Sequence, residues 1–249
     1  MSILDYLSPA EYYVAADRAE LGPGHFCWIV TPHIDPVPRI LSVERDSPEE
    51  HEKVRFALRE ANRAEDFKSS DRILPVKNLN LRSNEELLTQ RAKKRRGIVL
   101  ATNLDTDPDL VKILKQTGKK HLHEPHFIVI PCYSTQVDDY GTGFPPEMTQ
   151  RVQCLLYKQY FYCPEYFKLD RNLREAVARF DRIQVIVGTC PHAISGIGAS
   201  LSEASYAIFR AMTLFCLTGE EEADLGDLRA LLREAYQKAR SSSVVFGKP

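Results

Sequence analysis

The stretch Arg91-Ala92-Lys93-Lys94-Arg95-Arg96-Gly97-Ile98-Val99-Leu100-Ala101-Thr102 starts as a run of basic residues and turns at Gly97 into a compact apolar segment. A second apolar segment, Phe127-Ile128-Val129-Ile130-Pro131, follows and ends in the hydroxyl cluster Tyr133, Ser134 and Thr135. Short β-branched runs bounded by turn residues read as buried strands, and two such runs in succession are expected side by side in a sheet. That pairing would bring arginine and hydroxyl groups to one place, the raw material of a phosphate or RNA site.

Working outward, 249 residues suffice to bury a full core, and one elaborated domain or one domain with appendages is expected. Its 43% hydrophobic and 27% charged residues are those of an ordinary soluble protein, with no apolar run of membrane-spanning length. Met1-Ser2-Ile3-Leu4-Asp5 lacks the basic start of a secretory leader, so the cytoplasm is the expected compartment. The six cysteines show no paired short spacing and mostly sit in apolar runs, which predicts small buried hydrophobes rather than a disulfide frame or zinc site. A net charge of -1 gives no global attraction to nucleic acid, so any RNA contact must be local.

Ser8-Pro9-Ala10-Glu11 is a capping box that predicts a helix over 9–20, stopped by Gly22-Pro23-Gly24. His25-Phe26-Cys27-Trp28-Ile29-Val30 reads as a strand, with a second over 37–43. Ser47-Pro48-Glu49-Glu50 repeats the capping grammar and predicts a long charged helix through 65. Residues 66–90 read as surface insertion, the segment most open to a protease. Further helices are expected after Asp107-Pro108, after Pro145-Pro146, over 172–180, over 200–217 and over 225–240, with strands at 157–162 and 182–187. The helix over 200–217 is apolar around most of its girth, as a helix buried in a core or shared with a partner would be.

Several of these pieces, in this order, resemble the PemK/MazF-like toxin family: Gly24-His25-Phe26-Cys27-Trp28, the basic turn Lys94-Arg95-Arg96-Gly97 into a strand, the strand from Ile128 to Ser134, and the late capped helix. The resemblance covers residues 22–31 and 92–219. It implies an α+β fold, an SH3-like β-barrel with peripheral helices over 22–219; outside its reach the sequence pattern adds an N-terminal helical extension (1–21), a charged helical insertion at about 45–90, and a C-terminal helix and tail (220–249). The resemblance further implies a homodimer and, in many members, metal-independent cutting of single-stranded RNA, with no cofactor and no metal.

On the same resemblance the phosphate-binding arginine falls on Arg96, followed by Gly97 where the family usually has proline. The catalytic hydroxyl, usually threonine, falls on Tyr133, with Ser134 next to it. A tyrosine hydroxyl lies about 4 Å farther from the backbone than a threonine hydroxyl and cannot make the same short bond without a shift. The family's later strand with glutamine and arginine can be set on 154–159, which keeps Gln159 and loses the arginine, or on 183–187, which loses both.

A nuclease of this kind needs a fixed donor for the charge on the phosphate oxygens, the role of Arg96, and a proton carrier, for which Ser134, Thr135, Tyr133 and His25 are the candidates. Arg91, Lys93, Lys94, Arg95, Tyr160 and Tyr162 are candidates for contact with single-stranded RNA or a protein partner. The competing reading of the basic run is a solvated turn guarding a sheet edge. His121, His123, Glu124 and His126 read as a loop rather than a metal site, Asp138-Asp139 and Gly196-Ile197-Gly198 as turns, and Gly118-Lys119-Lys120 lacks the pattern of a P-loop.

Two functions follow as expectations. In the first, a toxin-like protein that has lost catalysis sequesters a protein partner, such as a transcription factor, within a bacterial defence or toxin–antitoxin system, and frees it when a protease cuts within 66–90. In the second, the chain is an active endoribonuclease neutralised by an antitoxin.

Overall fold

The computed structural model describes residues 2–33, 37–45, 47, 49, 53–62, 64–68, 79, 81–82, 84–102, 108–119, 126–136, 143–187 and 193–245. In chain order these form a 3-10 turn at Ile3–Asp5, α1 (Pro9–Tyr12), β1 (Tyr13–Ala15), β2 (His25–Pro32), β3 (Arg39–Arg45), β4 (Val54–Glu60), β5 (Leu88–Thr89) and β6 (Ala92–Thr102). There follow α2 (Pro108–Gln116), β7 (His126–Ser134), α3 (Pro146–Gln153), β8 (Tyr160–Cys163), β9 (Ala176–Arg179), a 3-10 turn at Phe180–Arg182, β10 (Gln184–Val187), β11 (Ile194–Leu201), α4 (Glu203–Thr218) and α5 (Ala223–Val245). The chain divides into two compact units, Met1–Val30 with Lys94–Pro249, and Thr31–Lys93. No helix among the described residues is long and apolar enough to cross a membrane.

The larger unit is built on an eight-stranded sheet in the order β1-β11-β2-β6-β7-β9-β8, with β10 also on β7. As expected from the two apolar runs, β6 and β7 pair antiparallel, Ile98 opposite Ile130 and Val99 opposite Val129. Alternation splits β2, β6, β7 and β11 between two cores. Phe26, Ile98, Ile130, Phe161, Ala178 and Ile197 enter the main core with Phe209 and Met212 of α4, whereas Cys27, Ile29, Val99, Val129 and Ile194 form a smaller cluster. Gly97 belongs to the crowded side of this arrangement: a Cβ there would meet Val129 Cγ1 at 2.5 Å.

The sheet is α+β and mostly antiparallel, but the ladder does not close into the expected SH3-like barrel among the described residues. Its end strands, β1 and β8, are linked instead by side chains. Tyr12 Oη donates to the Tyr162 carbonyl at 2.6 Å, and Tyr13 Oη donates to the Pro164 carbonyl at 2.8 Å. The helix predicted over 9–20 therefore stops at Tyr12, because burying both tyrosine rings and pairing Tyr13 with Leu201 of β11 requires extended chain.

Three further expectations are corrected. The helix over 172–180 is β9, paired with β7 on one side and β8 on the other, since ladder formation on both edges outweighs weak helical periodicity. Gly196-Ile197-Gly198 is strand rather than turn. A Cβ at Gly196 would come within 2.3 Å of the Arg18 carbonyl oxygen, so the glycine admits a neighbouring backbone.

The third correction concerns the smaller unit, a three-stranded antiparallel sheet in the order β4-β3-β5 where a charged helix was expected from 47 through 65. Val54, Phe56 and Leu58 alternate with Arg55, Ala57 and Arg59, the period of a strand, and β4 pairs with β3 along its whole length. Ser47 Oγ accepts from the Glu49 N–H at 3.2 Å, a local side-chain-to-backbone bond. Residues 48 and 50, the rest of that box, lie outside the described residues, as do 69–78 of the segment expected to be cut.

Candidate functional site

β6, β7, β9 and β8 lie side by side, and alternation decides which of their polar side chains meet. Arg95 and Tyr133 share one face, the Arg95 guanidinium lying 4.3 Å from the centre of the Tyr133 ring. From β9, Arg179 approaches the same ring at 5.1 Å and the Tyr160 ring of β8 at 5.8 Å. Tyr160 in turn makes edge contacts with Tyr157 and Phe144. The result is a half-buried ladder of alternating guanidinium and aromatic groups. Arg179 is paired with Asp181, whereas Arg95 has no acidic partner among the described residues.

Farther along that face stands Glu175, whose carboxylate accepts from Thr135 Oγ1 at 2.6 Å and from Tyr162 Oη at 2.5 Å. Burial first, and then the Glu175 carboxylate, push the Tyr162 hydroxyl well above its ordinary pKa, so it stays a proton donor. A cleft of about 270 Å³ opens there, lined by Thr135, Phe144, Gln150, Gln153 and Glu175 among others. A carboxylate held by two hydroxyls beside amides and an aromatic ring can accept hydrogen bonds or a proton from a bound group.

Arg96 is not part of this face. Only 8% exposed, its guanidinium points inward, where Nη2 donates to the Arg174 carbonyl at 2.5 Å and Nη1 has no partner among the described residues. Beside it lie two buried thiols. The neighbouring Cys163, and then Arg96, hold Cys132 below its ordinary pKa, while burial pushes Cys163 up. The expected phosphate ligand is thus an interior residue in this conformation, because the strand phase that exposes Arg95 buries its successor.

The hydroxyl cluster divides in the same way. Tyr133 and Thr135 face the ladder; Ser134 is exposed on the alternate side and accepts from the Gln136 N–H at 3.1 Å. His25 begins β2, donating from Nδ1 to the Glu20 carbonyl at 2.6 Å and paired in register near Ser200. Lys94 is exposed and stands 5.5 Å from the Trp28 ring centre, while Arg91 and Lys93 are exposed in the smaller unit. Tyr162, expected as a stacking surface, is buried and bonded to Glu175.

Glu175 and Arg179 carried no signal in the sequence because both fall in the stretch read as helix; only the β7-β9-β8 register brings them to Thr135 and Tyr133. No metal-holding group of three ligands occurs among the described residues; His121, His123 and Glu124 lie outside them. The described cysteines are free, and Cys190 lies outside the described residues. Comparison with protein-family models, curated proteins and solved structures finds no match.

Proposed function

We propose that the chain is a toxin-like binding protein that acts by holding a protein partner rather than by cutting RNA. The observation that carries this reading is the burial of Arg96 with its guanidinium engaged by a backbone carbonyl, so that the arginine expected to stabilise a phosphate transition state faces the core. The surface left for recognition is the ladder of Arg95, Tyr133, Arg179 and Tyr160, and arginine and tyrosine are the residue types that anchor protein interfaces. In this reading a bacterial regulator is sequestered there and freed by a cut within 66–90; a cleaved chain that keeps its partner would refute the release step.

A specific observation supports a second reading. The Thr135–Glu175 pair at the cleft would serve a metal-independent endoribonuclease as hydroxyl and base, in place of Arg96 chemistry. One experiment separates the two: long single-stranded RNA is incubated with the purified chain in EDTA, beside Glu175→Gln. The binding reading expects intact RNA with both proteins, together with capture of a cellular partner that Tyr133→Ala with Tyr160→Ala abolishes. Cutting by the wild type that falls at least about 100-fold in Glu175→Gln would establish the nuclease instead.

A further inference from the structure

α3 and α5 border an open cleft of about 670 Å³ that the preceding reading does not use. Arg151, Tyr157, Arg233, Tyr236, Gln237 and Arg240 are among its lining residues. On α5, Arg233, Tyr236, Gln237 and Arg240 recur at helical spacing and form one stripe. Among the described residues the lining holds three arginines and no carboxylate, in a chain whose net charge is -1, so the positive field is local to the cleft.

Two features show that the cleft is built before any ligand arrives. Arg151 is fixed in place, donating to Tyr236 Oη at 3.2 Å, to Tyr157 Oη at 3.0 Å and to Glu147 at 2.5 Å. Glu147 offsets part of its charge. Arg233 and Arg240 are exposed on α5. The second feature is Leu155, fully buried and held at φ 51°, a left-handed conformation that is unfavourable for a non-glycine residue. That turn ends α3 and leads directly into Leu156 and Tyr157 of the cleft. Its carbonyl accepts from Arg229 Nε at 2.8 Å, which secures α5 against it.

We propose that this cleft binds the oligophosphate group of a small molecule, supplied by a nucleoside di- or triphosphate or by an inorganic oligophosphate. Guanidinium forks match phosphate oxygens two at a time, and a ligand spanning Arg151, Arg233 and Arg240 needs more than one phosphoryl group. The space lies within the range of about 300–1,000 Å³ of small-molecule sites, large enough for a base and ribose beside the phosphates. The half-buried Tyr157 ring and the Gln237 amide are the groups a base would meet.

The test is calorimetric titration of the full chain with tripolyphosphate, ADP, ATP and a short single-stranded RNA at matched ionic strength, using sulfate as control. Arg233→Ala with Arg240→Ala is the variant, since both side chains are exposed and circular dichroism can verify its fold. Tripolyphosphate or nucleotide is expected to bind above sulfate and to weaken at least about tenfold in the variant. Tighter binding of ATP than of tripolyphosphate would assign the nucleotide as the source, and equal binding the inorganic group. No binding at millimolar concentration, equal binding by wild type and variant, or binding of RNA alone would overturn the proposal.

Discussion

Arg59 grips Asp66 with both arms of its guanidinium, Nη1 to Oδ2 at 2.8 Å and Nη2 to Oδ1 at 2.6 Å, and the Asn62 N–H adds a third bond at 2.6 Å. Arg59 first, and the Asn62 N–H next, lower the Asp66 carboxyl from 3.8 to about 2. A carboxyl depressed on folding contributes stability above its unfolded pKa, and the contribution is lost as pH falls from about 4 through about 2. Titration of the Asp66 carboxyl carbon by NMR is expected to give a midpoint near 2 in the wild type and a higher one in Arg59→Lys, which cannot form the two-armed bond. A wild-type midpoint near 3.8 would show that the pair does not persist in solution. Arg96 and Gly97, neighbours within β6, serve packing as well: one is committed to the interior and the next must have no side chain.

Phe209 of α4 and Phe56 of β4 are the same residue with opposite expected costs. Phe209 is fully buried, with the rings of Phe161 and Phe180 at 5.3 and 5.4 Å; Phe56 is 65% exposed. Phe209→Ala should cost about 3–5 kcal/mol in urea unfolding, and Phe56→Ala within about 0.5 kcal/mol. Comparable losses would mean that the β3-β4 sheet buries Phe56 in solution. α4 was legible as a helix ending at Gly219, which sits at φ 79°, because a glycine stop and a continuous apolar pattern are local signals; its cap is Ser202 rather than the expected Ser200, which β11 takes up. β4 and β9 were not. Both contain residues compatible with either state, and partner strands distant in sequence made the choice.

At the scale of the molecule, two tyrosines fasten the ends of an open ladder. Burial pushes the Tyr12 and Tyr13 hydroxyls well above their ordinary pKa, so both remain donors to the carbonyls of Tyr162 and Pro164. Tyr12→Phe leaves a buried carbonyl without this donor and is expected to lower unfolding stability by about 1–3 kcal/mol with an unchanged circular dichroism spectrum; a neutral result would show that the hydroxyl does not fasten the sheet. The sequence by itself determined the adjacent apolar strands β6 and β7, the helices α2, α3, α4 and α5, and the burial of Cys27, Cys132, Cys154 and Cys163. Tertiary structure alone decided that Arg96 lies inside, that Glu175 meets Thr135, and that Arg151 faces the stripe on α5. Periodicity and capping act over a few residues and can be read along the chain. Strand phase and register depend on which distant segment supplies the missing hydrogen bonds, and a shift of one residue exchanges the interior for the surface.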